Sequence, residues 1–389
     1  MSTVETELAA LRERLLAWLM NEALPIWWTV GADLENGGFH EAIDLAGRPV
    51  LADRRARVQA RQIFTYVVGG GLGWTGPWRQ AVAHGLDYFI GRYRRADGLF
   101  WNALTADGEP IDAPPHLYEQ AFALLALATA SGIGGDDQSF ATIAEAVLYR
   151  LKSERRGVAG GFTGFVDNSV YQSDPHMHLL EAALAWEDVS SDARWRALAD
   201  ETAELCLARF MTPDGGVLLE YFDARWAPAP GLAGRLVWPG HQFEWAGLLE
   251  RWGLARGRED VRSIARRLYR CGADHGIDEA RGVAVFELLD DLSVHDPKTR
   301  LWSQTEWLKA AMILARSEAD GDRRRAYLAD AVAAAKALSL YLDTPVRGLW
   351  RDKLLGDGVW VDEPAPASSF YHIIDAFRVL AGWTAAEEE

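Results

Sequence analysis

The stretch 37-GGFHEAIDLAGRP-49 sets two glycines ahead of a short strand-like run that closes on an acidic turn. The theme returns as 98-GLFWNALTADGEP-110, 160-GGFTGFVDNS-169, 215-GGVLLEYFD-223, 282-GVAVFELLDD-291 and 348-GLWRDKLLGDGVW-360. Its key glycines fall at 38, 98, 161, 216, 282 and 348, with gaps of 60, 63, 55, 66 and 66 residues. A near-constant period of this length marks repeated supersecondary units, each needing its neighbours to cover its apolar face.

Between the copies, apolar residues switch to helical spacing. One set of segments, near 5–22, 77–94, 135–152, 191–210, 259–274 and 323–342, carries Arg, Asp and Glu on one face, as in 323-RRRAYLADAVAAAKALSLYL-342. That is the pattern of a solvent-facing helix. The alternate set lies near 54–69, 114–131, 175–187, 241–255, 303–316 and 367–383. It keeps His, Gln, Tyr or Trp near its N-terminal ends, as in 116-HLYEQAFALLALA-128 and 176-HMHLLEAALAW-186. Six helix–hairpin–helix units predict an all-α fold: one domain over 1–389, an (α/α)6 barrel of twelve helices in two rings, with short β-hairpin loops on one face. An open helical solenoid satisfies the same repeat. In the barrel, the first turns of the inner helices converge on a single cavity.

Composition narrows the partners. The net charge of −16 opposes a nucleic acid or an anionic membrane, which need a basic footprint, though it leaves room for a local basic pocket. Cys206 and Cys271 are too few and too far apart for a disulfide framework or a zinc knuckle. The start, 1-MSTVETELAALRERLLAWLMNEALPIWW-28, mixes acids and arginines into its apolar pattern, unlike a signal peptide. No run of about 18 apolar residues predicts a membrane span. The expected setting is a reducing cytoplasm, with a small-molecule partner and a monomer or homodimer. Seventeen tryptophans supply buried area and also flat walls that stack on sugar rings.

The nine histidines are unevenly placed. His84 and His275 fall on outer segments and His295 in a polar loop, where solvated side chains are expected. His116, His176, His178, His241 and His372 all open inner segments, and His40 sits in the first hairpin. In 238-WPGHQFEWAGLL-249, His241 and Glu244 share a helix face, as do His178 and Glu181. Arg57 and Arg61 are paired four apart, and Trp302 and Glu306 likewise. Two histidines, an arginine, carboxylates and aromatic walls suit proton transfer at a carbon beside a carbonyl. Imidazole titrates near the working pH, Arg61 can hold the enediolate oxygen, Glu244 can fix an imidazole tautomer or pair with a sugar hydroxyl, and Trp302 and Trp238 can pack on pyranose faces. A His176–His178 metal site is disfavoured because the two rings splay on a helix. No phosphate loop, nucleotide fingerprint or G-x-S-x-G elbow is present. Paired carboxylates would instead mean a glycosidase, but histidine is what gathers at the mouth. A catalytically dead carbohydrate-binding barrel is the non-enzymatic alternative.

Taken in order, 61-RQIFTY-66, 174-DPHMHLLEA-182, 240-GHQFEW-245, 302-WSQTE-306 and 371-YH-372 resemble the N-acylglucosamine 2-epimerase superfamily across nearly the whole chain. The G-H-x-F-E-W form is similar to its mannose isomerase and sulfoquinovose isomerase branch. The resemblance implies an (α/α)6 barrel and a metal-independent, cofactor-free interconversion of an aldose and its ketose, D-mannose to D-fructose first, through a cis-enediolate. A 2-epimerase of the N-acylglucosamine, mannose/glucose or cellobiose type is the alternative, and a glycoside hydrolase comes behind it. By motif, His241, His372, Arg61 and Glu244 are implied as catalytic. His178, Glu181, Arg57, His116, Trp302, Gln304, Glu306, Tyr371 and His176 are expected around the substrate. The family's W-W-P-Q reads Leu301-Trp302-Ser303-Gln304 here, one stacking tryptophan short, which favours a monosaccharide.

Overall fold

The computed structural model describes residues 2–134, 137–164, 171–212 and 216–383; the third repeat beyond Gly164 and the first residues of segment 135–152 lie outside them. Helices α1 (Thr3–Trp18), continued through a π-turn into α2 (Leu24–Thr29), α4 (Trp78–Tyr88), α6 (Asp137–Glu154), α8 (Ala193–Leu205), α10 (Glu259–His275) and α12 (Gly321–Tyr341) form the outer ring. Helices α3 (Ala56–Gly71), α5 (Leu117–Ser131), α7 (Asp174–Val189), α9 (Pro239–Arg256), α11 (Leu301–Ser317) and α13 (Ser368–Ala381) form the inner ring. Each inner helix packs on the next, and α13 packs back on α3. Strand Ala42–Ile43 pairs antiparallel with Ala365–Pro366, joining the first hairpin to the last. This is a closed (α/α)6 barrel, and the solenoid alternative is excluded.

Among the described helix starts, side-chain caps occur on three outer helices and on none of the inner ones. Ser2 and Glu5 form a capping box on α1, Asp192 caps α8 and Asp320 caps α12, while α4 and α10 start without one. Inner helices α3, α5, α9 and α11 enter straight from extended residues Arg55, His116, Trp238 and Arg300, none of which caps with its side chain. The first N–H of α3, α5 and α11 is taken by a backbone carbonyl of a neighbouring loop, and the positive ends of the helix dipoles face the mouth.

A recurrent clamp fastens hairpin to inner helix. Gln59 bonds both the N–H and the carbonyl of Phe39; Gln120 does the same to Phe100, Gln242 to Leu218 and Gln304 to Ala284. In the third unit the imidazole of His176 takes this place, accepting from the Phe162 N–H at 3.0 Å and meeting the Gln172 carbonyl at 3.0 Å. Buried strand amides need partners, and these side chains supply them. His84 is likewise no solvated bystander: it bonds the Gly38 carbonyl at 2.8 Å and packs edge-on against Trp28 and Phe39. His275 and His295 are exposed, as expected. Most tryptophans serve the core, as in the stacked pairs Trp27–Trp350 and Trp186–Trp195.

Candidate active site

At the hairpin face the inner helices surround a cavity of about 320 Å³. Of the residues singled out in the sequence, Arg57, Arg61, His116, His178, His241, Glu244, Trp302 and His372 line it. Glu181, Glu306 and Tyr371 stand immediately behind that wall, while His176 and Gln304 are the backbone clamps described above and do not line the cavity.

Two imidazoles are held the same way. His372, near the start of α13, turns its Nδ1 to a Glu306 oxygen 2.8 Å away on α11. His241, in the first turn of α9, turns its Nδ1 to Glu220 at 2.8 Å. Glu220 belongs to the hairpin before α9, so the partner of His241 is not Glu244, as the i,i+3 spacing suggests. Both arrangements assign Nε2 to the cavity side. Glu244 is buried with neither carboxylate oxygen hydrogen-bonded, and one oxygen lies 3.9 Å from His178 Nδ1. His178 is oriented by Glu181 at 3.1 Å, and Glu181 also accepts the Tyr371 hydroxyl. Asp174 lines the cavity with Oδ1 3.5 Å from His178 Nε2 and 3.9 Å from His241 Nε2.

The surroundings drive the two imidazoles apart in basicity. Burial disfavours the charge on each. At His241 the Glu220 carboxylate, with Asp174 and Glu244 behind it, more than reverses this and lifts its pKa to about 9. At His372 burial is reinforced by the cations Arg61 and Lys309, and the pKa falls well below the ordinary imidazole value. Near neutral pH one ring is an imidazolium and the other a free base. Burial raises Glu244 well above the usual carboxylate range, with the Glu306 charge adding to it.

Arg61 lies across Phe122, its carbon centre 4.2 Å from the ring centroid, and donates to the Ser368 carbonyl at 3.1 Å and the Tyr118 hydroxyl at 2.9 Å. An aromatic wall runs from Phe286 to Trp238, on to His241 and Trp302, with ring centroids 5.1, 4.8 and 5.1 Å apart along the chain. Phe286 arrives from the long hairpin Val283–Leu289/Val294–Arg300, whose register shifts beside it.

Beneath His372 lies a cation that the sequence reading missed. Lys309 Nζ is 2.7 Å from Glu306 and 3.1 Å from Asp375, fully inside the barrel. The ligand atoms of His178, Glu181 and Glu244, and those of Glu244, Glu306 and His372, each fall within 4.8 Å of one another, a spacing that suits a metal ion. Apart from Glu244, which belongs to both groups and has neither oxygen hydrogen-bonded, their donor atoms are engaged: His178 by Glu181, His372 by Glu306, and Glu306 by the Lys309 ammonium, which brings a positive charge to this cluster.

The comparisons with known proteins agree with this architecture. A protein of Rhizobium meliloti (strain 1021) named mannose-6-phosphate isomerase is 46% identical over 372 residues, covering 94% of this chain and 95% of the relative. A D-mannose isomerase of Thermobifida fusca is 26% identical over 332 residues, covering 78% and 79% of the two chains. Among solved structures, a D-mannose isomerase superposes with TM-score 0.81 at 20% identity over 96% of this chain and 97% of the other. The cellobiose 2-epimerase from Bacillus thermoamylovorans B4167 does so with TM-score 0.84 at 15% identity over 96% and 99%. The profile of N-acylglucosamine 2-epimerase (GlcNAc 2-epimerase) matches residues 37–376, so the chain belongs to the N-acylglucosamine 2-epimerase family.

Proposed function

We propose that the protein is an aldose–ketose isomerase acting on a hexose of mannose configuration, free or phosphorylated, with fructose or its ester as the product. The observation that carries this reading is the pair His241 and His372, both at one cavity, both anchored through Nδ1 by buried glutamates and oppositely protonated near neutral pH. Groups split in this way act as acid and base in one reaction. The names of the relatives, mannose-6-phosphate isomerase and D-mannose isomerase, supply the sugar.

The roles follow from the charges. On the open-chain aldose, neutral His372 Nε2 removes the C2 proton while the His241 imidazolium donates a proton to the carbonyl oxygen O1. Arg61, on the same cavity wall near His372, stabilises the developing enediolate. His241 then takes back the O2 proton, and His372 returns its proton to C1, so the ketose forms with no net gain or loss of protons. Return to the opposite face of C2 would give the epimer instead. His178 and Glu244 are placed to hold hydroxyls, and Trp302 to pack against the carbon skeleton.

The test is incubation of the purified protein with D-mannose and with D-mannose 6-phosphate in D2O, followed by NMR. A ketose signal from either sugar is expected; accumulation of the 2-epimer without ketose overturns the isomerase reading. The pH profile gives a second check. With His241 required as the acid, kcat/KM declines on the alkaline side near pH 9. The Glu220 anion is what raises that pKa, so Glu220→Gln lowers it and moves the alkaline decline down by about one unit or more. An unmoved alkaline limb, from pH–rate profiles of both proteins, would remove His241 from the acid role.

A further inference from the structure

We propose that Arg55, Arg57 and Arg300 form an anion subsite at the mouth of this cavity, built to hold a tetrahedral oxyanion, a phosphate ester above all, on the sugar carbon farthest from the carbonyl. The inference rests on the aldose–ketose reading and selects the form of substrate within it.

The chain carries a net charge of −16, yet four guanidinium groups line this one cavity: Arg55, Arg57, Arg61 and Arg300. Arg61 is the deep one, fully buried and committed to Ser368 and Tyr118. The other three are nearer the solvent, with side chains 39%, 26% and 30% exposed for Arg55, Arg57 and Arg300. Each is fastened by one carboxylate: Arg55 by Glu41, Arg57 by Glu119 and Arg300 by Asp352. None of those three carboxylates lines the cavity. The anchors therefore fix each guanidinium in place while leaving further N–H groups accessible, the arrangement that suits bidentate recognition of an oxyanion.

Their position matches one end of a hexose. Arg57 precedes Arg61 by one helical turn, about 6 Å along α3 toward the mouth, close to the length of a six-carbon chain. With the carbonyl end at Arg61 and the two histidines, the far end falls among the outer arginines. Arg55 and Arg300 are also the residues that open α3 and α11, so two uncapped helix N-termini add their positive ends to the same rim. Asp174 and Glu244, the acids that do line the cavity, stand on α7 and α9, the side that holds His178 and His241. A neutral hexose meets the N–H groups left over from those ion pairs only with hydroxyls; a phosphate dianion or a sulfonate takes them as charge-assisted, bidentate hydrogen bonds.

The experiment compares kcat/KM of the full-length protein for D-mannose, D-mannose 6-phosphate and the 6-sulfonate of the same sugar. It also measures calorimetric binding of D-mannitol and D-mannitol 6-phosphate, which lack the reacting carbonyl. We expect the charged hexoses to be preferred by about 100-fold, mainly through KM, with the phosphate and sulfonate arms showing which oxyanion the rim takes. Mannitol 6-phosphate is expected to bind more tightly than mannitol by a similar factor, less so at high salt. Arg57→Gln and Arg300→Gln each reduce the charged-over-neutral ratio about 10-fold. Equal kcat/KM for neutral and charged sugars, or mannitol 6-phosphate binding no better than mannitol, overturns the subsite. If no sugar is isomerised, the isomerase reading has failed, and the mannitol pair still decides the subsite on its own.

Discussion

Replacing His372 by asparagine is expected to lower kcat/KM for ketose formation by about three orders of magnitude, the middle of the range for loss of a positioned general base. The asparagine amide can keep a hydrogen bond to Glu306, so the start of α13 and the packing of Tyr371 stay in place. What is lost is the Nε2 lone pair, and neither of the two neighbouring imidazoles, His241 and His178, is free to replace it. His241 is charged near neutral pH, and His178 Nδ1 faces Glu181 while its Nε2 lies toward Asp174. The measurement is kcat/KM together with loss of deuterium from [2-2H]-mannose or its 6-phosphate. A variant that retains a tenth of the wild-type rate, or that still washes out the C2 label at wild-type speed, sinks the assignment of His372 as base.

The largest effect on stability is expected from Lys309→Met. Lys309 lies among Glu306, Asp375, Glu244 and Glu181, all buried around the barrel axis, with Asp375 also held by Arg378 at 2.7 Å. Those carboxylates hold its ammonium well into the charged range against the cost of burial. Removing one partner of a buried ionic cluster leaves uncompensated charge and costs about 3–5 kcal/mol. Urea unfolding should show this as a fall in ΔG, with Glu306→Gln in the same chain recovering part of it. The sign with pH is also set. In Lys309→Met the folded carboxyls titrate higher than in the unfolded chain, so protonation favours the folded state and the deficit shrinks as pH falls. A loss under about 1 kcal/mol, or a deficit that grows on acidification, contradicts this account of Lys309.

Much of the barrel is written locally. Six glycine-strand copies at near-constant spacing, alternating with amphipathic and apolar helical segments, specify the helix–hairpin–helix units, because turn chemistry and helical periodicity involve neighbours in the chain. The placement of His178, His241 and His372 at the starts of inner helices was legible for the same reason. The four clamping glutamines were legible in principle too. Gln59, Gln120 and Gln304 each lie 20 residues beyond the hairpin residue they bond, and Gln242 lies 24 beyond.

Ring closure and the second layer of the site were not legible, because they are made between segments far apart in sequence. Arg61 reaches Ser368 across 307 residues, Tyr371 reaches Glu181 across 190, and His372 finds Glu306 across 66. The pairing of His241 shows the limit most directly. Helical spacing puts Glu244 on its face, but on an inner helix such a neighbour points on to the next part of the cavity floor, while the hairpin brings Glu220 against Nδ1. Short-range periodicity was enough to specify the repeating units and to bring the starts of the inner helices, with His178, His241 and His372, to one mouth. Only the closed ring decided which carboxylate holds each imidazole, that Lys309 lies beneath them, and hence which ring is charged, since those energies depend on burial and on through-space distance.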